Sequence, residues 1–289
     1  MNMDNFKLTT RSVKSIQETR IRIGNSIHGS MVEELIRDSK LYDEIRQMRK
    51  NKKANRKKIA LLIKKALIEV GKSKEQLESE FKLRKRQDPF YIDLLKLEKV
   101  GIKILEGDLE KMPLYLGYCK QVRGLGALTS AQLIAIIGDM TRFLMPSSLW
   151  HYFGVGDPNE DKLSKGKEAT HNPKGKALLL GVIAENFVKL RSQYRVIYEE
   201  RKVRTLKTHP EWHNLNPDGT KNEGKNMHPR HAEKDARRVM MKRFLCEFWR
   251  AGYLAKGLMP PCNPYILNNP KHHLDPDIVS YKLEKPIKQ

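Results

Sequence analysis

The chain has 289 residues and a mass of 33.6 kDa, is 39% hydrophobic and 31% charged, and is long enough for about two domains. Lys and Arg number 56 against 34 Asp and Glu, a formal charge of +22 spread along the whole chain, which favours polyanionic partners. No apolar run approaches the ~18 residues of a membrane span, and three scattered cysteines (Cys119, Cys246, Cys262) make neither a disulfide framework nor a CxxC zinc site.

Residues 1–30 are polar and weakly periodic, which predicts a flexible N-terminus, and the first fifteen lack the apolar region of a secretory signal. From 31 to 112 the chain reads as long charged helices in antiparallel array, a coiled-coil-like arm suited to homo-oligomer formation. Ile59, Leu62, Ile63, Ala66, Leu67 and Val70 make one apolar stripe, which Gly71 closes. Ser73 with Gln76 reads as a capping box. Asp88-Pro89 then breaks the chain before a helix carrying Leu94, Leu97 and Ile104. Residues 46–65 hold ten Lys or Arg and no acid. That face is either solvated or a phosphate track built on Lys52, Lys53, Arg56 and Lys57.

The 113–265 segment is punctuated differently. After a short helix, Gly124-Leu125-Gly126 leads to Thr129-Ser130-Ala131-Gln132, which reads as a second capping box opening a helix over 133–137. The pattern has the form of a helix-hairpin-helix. Two glycines permit the tight turn and let backbone N–H groups approach a phosphate, while the next helix offers its positive end. Lys120, Arg123, Gly124, Gly126 and Thr129 are the candidate DNA contacts. Residues 154–172 form a Lys- and Gly-rich loop, followed by a long helix over 174–202 with Leu179, Ile183, Phe187 and Leu190 on one face. A last helix over 231–250 places Ala236, Met240, Phe244 and Phe248 inward, and a tail covers 266–289. Its Arg237, Arg238, Lys242 and Arg243 lie off that stripe, facing solvent or nucleic acid. No convincing alternating strand occurs, so the predicted fold is all-α.

Other residues invite chemistry. Tyr194 and Tyr198 have the type of recombinase nucleophiles but sit at packing positions, with hydroxyls expected to be wet. His209, His213, His228 and His231 would suit zinc in number, yet Pro210 spoils the helical spacing and no cysteine joins them. They read as solvent- or phosphate-facing, as do His272 and His273, and no cofactor is expected in this chain.

The order of segments from about 115 to 265 resembles the C-terminal domain of the insertion-sequence 110/116/902 transposases. The carriers are the hairpin block over 124–143, then Leu149-Trp150-His151-Tyr152-Phe153-Gly154, then Asn172-Pro173-Lys174-Gly175-Lys176-Ala177-Leu178-Leu179. Such proteins add an N-terminal RNase-H-like domain with four metal-holding acids, a coiled-coil arm, a serine nucleophile and, in some cases, a guiding structured RNA. The resemblance implies a DNA-binding, nucleoid-associated cytoplasmic protein of transposition or site-specific recombination. The alternatives are a non-catalytic architectural module and a structured-RNA binder. Two departures stand out. Residues 1–110 contain no strand ending in Asp, so divalent metal would come only with a partner's nuclease domain. Where the family shows Ser-Ser-Gly-Gly-Lys, this chain has Leu163-Ser164-Lys165-Gly166-Lys167. Ser164 is the best match for the nucleophile, and Lys165, Lys167, Lys174 and Lys176 would hold phosphate beside it.

Overall fold

The computed structural model describes residues 2–50, 55–156, 168–209 and 229–261. Every regular element among them is helical, so the protein is all-α. The chain forms two compact units, residues 11–103 and residues 1–10 with 104 onward. The sequence placed the division at 112, where Met112 N-caps a helix that begins at Pro113, whereas the compact units divide at 103/104.

Within the 11–103 unit the main correction is at the start. In place of a flexible N-terminus, one helix, α1, runs Met3–Leu35. It pairs antiparallel with α5 (Pro89–Leu109). Val13 meets Gly101, where a Cβ would come within 2.6 Å of Val13 Cγ2. Further along, Gln17 Nε2 donates to Glu98 (3.0 Å), Arg20 pairs with the same buried carboxylate, and Gly24 lies against the Tyr91 ring. This seam is made of glycines and a bonded charge rather than a Leu/Ile stripe, which is why hydrophobic periodicity does not reveal it. Leu97 and Ile104 on α5 are 51% and 53% exposed.

The α2 (Tyr42–Lys50), α3 (Arg56–Glu69) and α4 (Lys74–Gln87) helices gather around Met31, Val32, Ile36, Ile45, Leu62, Ala66 and Leu67. The expected stripe of α3 is this core. Ser73 and Gln76 make both bonds of the capping box, at 3.2 and 2.9 Å. Asp88 accepts the Tyr91 N–H (2.7 Å) and so opens α5.

In the second unit, α12 (Pro229–Leu254) is the central helix, and Ala236, Met240, Phe244 and Phe248 are fully buried on it as expected. The α11 helix (Arg195–Thr208) lies antiparallel to it. Arg201 and Thr205 at one end bond Asp235 (2.7 and 3.0 Å), and Tyr194 at the other bonds Glu247. Burial raises the Asp235 carboxyl, but Arg201, Thr205 and Arg238 outweigh it and hold the group below its ordinary value. The α8 helix (Pro146–Tyr152) docks through Trp150 Nε1 on the Lys242 carbonyl (3.0 Å).

The expected single helix over 174–202 is interrupted. The chain passes from α9 (Pro173–Lys176) through a π-helical stretch, Ala177–Ile183, into α10 (Ala184–Lys189), then stops before α11. Leu179, Ile183 and Phe187 are buried, but Leu190, at the stop, is 51% exposed.

The Tyr194 hydroxyl, expected to be wet, is buried and bonded. Tyr118 and Tyr194 share a 2.6 Å hydrogen bond, Tyr194 bonds the fully buried Glu247, and Arg243 Nε donates to the other carboxylate oxygen at 3.0 Å. Phe187 stacks on Tyr194 and meets Phe244 edge-on. A buried carboxylate is tolerable only while its partners remain. Arg243→Met should therefore destabilise the protein by about 3 kcal/mol or more, and adding Glu247→Gln should restore much of the loss. Thermal unfolding of the two variants checks this; an unchanged Tm for Arg243→Met would refute the coupling.

Candidate nucleic-acid interface

The segment expected to form the hairpin consists of α6 (Pro113–Gly117), a 3-10 turn at Cys119–Gln121, a five-residue loop and α7 (Ala127–Ile137). Val122 and Leu125 anchor the loop in the interior, and the Leu125 N–H donates to the Val122 carbonyl at 3.1 Å. The α7 helix opens at Ala127 rather than after a capping box. Gly126 is its extended N-cap (φ −72, ψ 170) with no side-chain cap, and the Thr129 hydroxyl turns back to donate to the Gly126 carbonyl at 2.8 Å. Ser130 and Gln132 are buried helix residues. Ser130 is the first α7 residue whose N–H reaches the Gly126 carbonyl (2.9 Å), so the preceding N–H groups project from the helix end.

The two glycines have different tasks. Gly124 has φ +93, and a Cβ there would lie 3.2 Å from the Phe187 ring and 3.3 Å from the Asn186 backbone. Its close approach within the fold is to α10. Gly126 has an ordinary φ, is exposed, and its nearest neighbour would be Thr129 Oγ1 at 4.0 Å. The fold does not require glycine at 126.

A residue the sequence reading missed holds the turn. Gln193, just past the stop of α10, accepts the Arg123 N–H (3.0 Å) and donates to the Gln121 carbonyl (2.8 Å). Its amide therefore makes both bonds with loop backbone. No local pattern marks Gln193, because its partners lie about seventy residues away.

At its other end α7 is tied down by Asp139. That carboxylate accepts from the Thr141 N–H and hydroxyl (2.8 and 2.7 Å) and pairs with Lys256 just beyond α12. Lys256 and then Thr141 hold the carboxyl at about 2, against an ordinary 3.8.

The remaining predicted contacts divide sharply. Arg123 is exposed beside the turn, and Lys120 is exposed but reaches Glu110 at 3.4 Å. Lys174 is exposed, and Lys176 is half-buried. Arg237 and Arg238 were expected on nucleic acid, yet they pair with Glu185 (2.5 Å) and Asp235 (3.2 Å), because α12 is packed on both sides. Lys242 likewise donates to the Gly156 carbonyl (2.7 Å) over the Trp150 ring. In the other unit, Lys57 is exposed in the first turn of α3, where Asn55 caps its N–H, and Arg56 begins that helix. Ser164, Lys165, Lys167, Lys52 and Lys53 lie outside the described residues, as do His213, His228, His272 and His273. His209 ends α11 and His231 is exposed on α12, and no group of metal-ligating side chains occurs among the described residues. No described helix is long and apolar enough to cross a membrane.

Compared with protein-family models, with curated proteins and with solved structures, the chain matches none.

The two glycines should separate on mutation. Gly124→Ala should cost about 1–2 kcal/mol, from its positive φ and the tight Asn186 contact, while Gly126→Ala should stay within about 0.5 kcal/mol. Denaturant melts decide; equal effects would contradict the assignment. Because folding lowers the Asp139 value, its stabilisation is present above about pH 4 and is lost as pH falls towards 2. A carbon-detected NMR titration should place its midpoint near 2, and Lys256→Met should raise it; a wild-type midpoint near 4 would exclude the pairing.

Proposed function

We propose that this chain binds the phosphate backbone of duplex DNA through the 122–129 hairpin, as a transposase-like protein of DNA transposition or site-specific recombination. Gly126 carries the binding half of the reading. It is a glycine at the exposed entry of a helix, without conformational or packing need for one. A bare backbone there lets an anion reach the projecting N–H groups, and a side chain would stand in its way. Arg123 is exposed in the loop that leads to that end, Lys120 is exposed just before the loop, and the formal charge of +22 attracts a polyanion. Contacts of this kind hold a duplex in place without reading its sequence.

The order of hairpin, basic loop and Asn172-Pro173 helix supports the transposition half. In this reading the chain grips DNA, Ser164 is the nucleophile, and divalent metal arrives with a partner's nuclease domain. In the same reading the acid-free segment carrying Lys52, Lys53, Arg56 and Lys57 also binds phosphate, and copies associate through the helical region.

Duplex affinity should fall steeply with salt, and Lys120→Gln and Arg123→Gln should each lower the log–log slope by roughly one, alike for all sequences. Gly126→Val should weaken binding at unchanged Tm. A folded Gly126→Val protein with wild-type affinity would sink the hairpin reading, whereas preference for a folded RNA over duplex DNA at every salt would transfer it to RNA.

A further inference from the structure

Arg191 is, among the described residues, the single non-glycine with positive φ (53°). It occupies the position after the Leu190 C-cap of α10, where the Ser192 N–H reaches back to the Phe187 carbonyl at 2.9 Å and the Leu190 N–H to the Asn186 carbonyl at 2.8 Å. Glycine is the residue this left-handed corner favours, and arginine there is strained. Such an outlier persists where something other than local stability selects the side chain.

The surroundings show what the side chain serves. Segment 186–193 wraps the hairpin loop. Asn186 and Phe187 press on Gly124, and Gln193 bonds Gln121 and Arg123. Arg191 projects from the middle of that wrap and is exposed. Neighbouring cations are neutralised within the fold. Lys189 pairs with Glu185 (3.1 Å), Arg237 with the same carboxylate, and Arg195 with Glu199 (2.6 Å). Lys189 and Arg237 hold the Glu185 carboxyl below its ordinary value, so it stays charged and engaged. Arg191 and Arg123 make no ion pair among the described residues.

We propose that Arg191 is a DNA-contacting residue which, with Arg123, forms a two-armed clamp on the phosphates of one duplex strand. Gln193 fixes the distance between the arms by bonding the backbone of Arg123 from two residues beyond Arg191. A guanidinium forks onto phosphate oxygens, so two of them joined by one rigid loop select a polyphosphate backbone over a lone anion. The clamp rests on the hairpin reading, since Arg123 and the α7 end are one of its arms.

The proposal predicts effects of opposite sign at one position. In the full chain, Arg191→Gly should hold or raise Tm, because glycine fits the corner. Its affinity for a short fluorescein-labelled duplex should fall roughly 3–10-fold at 0.1 M salt, with a slope lower by about one. Arg191→Lys should retain the slope, and Arg191→Ala should lose it at the wild-type backbone strain. A folded Arg191→Gly protein with unchanged affinity and slope overturns the clamp. If Gly126→Val weakens binding in the same assay while Arg191→Gly does not, the clamp alone fails. Wild-type affinity in both variants removes the hairpin reading as well.

Discussion

A single buried carboxylate organises the C-terminal unit. Glu247 sits in the middle of α12 with no access to water, and its charge is met by Arg243 one turn before and by the Tyr194 hydroxyl from the neighbouring chain segment. Tyr194 in turn binds Tyr118, which precedes the hairpin. Because an unpaired charge there would cost several kcal/mol, these elements admit one arrangement and not a sliding family of them. The next residue towards α10 is Gln193, whose amide holds the Gln121–Arg123 turn. The hairpin is thus positioned by a chain of hydrogen bonds that starts in the core and ends at the surface.

Local signals were legible and distant ones were not. Ser73 with Gln76, Asp88 before Pro89, the α3 stripe and the buried face of α12 are each written within a few residues, and each stands in the structure as read. Apart from the expected Thr129–Gln132 capping box, which fails locally because α7 already opens at Ala127, the misreadings arise where a distant partner decides. The α1 helix lacks an apolar stripe because its partner face offers Gly101 and Glu98, and the stop after Lys189 follows no proline or glycine. In the 122–129 segment the sequence gave both glycines one role. The positive φ of Gly124 and its contacts with Asn186 and Phe187 tell them apart.

Charge followed the same rule. Composition reports how many cations there are, whereas packing decides which remain available. Arg237, Arg238 and Arg243 are largely consumed by Glu185, Asp235 and Glu247, carboxylates a sequence reader counts without pairing. Arg123 and Arg191, beside the 122–126 loop, are among the cations the fold leaves exposed. Net charge therefore argued for a polyanionic partner without saying which surface receives it.

The π-helical stretch at Ala177–Ile183 has a geometric consequence. A π turn holds more residues than an α turn, so it works as a phase adjuster, setting the azimuth at which every later residue of the helix points. Asn186 and Phe187 meet Gly124, and Glu185 meets Arg237, only at the present azimuth. Each residue of an α-helix advances about 100° around the axis. Loss of a single residue from the wide turn would swing this face away from the loop without changing any side chain on it. Length in this stretch is consequently as strict a specification as residue identity, and substitutions there should be tolerated far better than insertions or deletions.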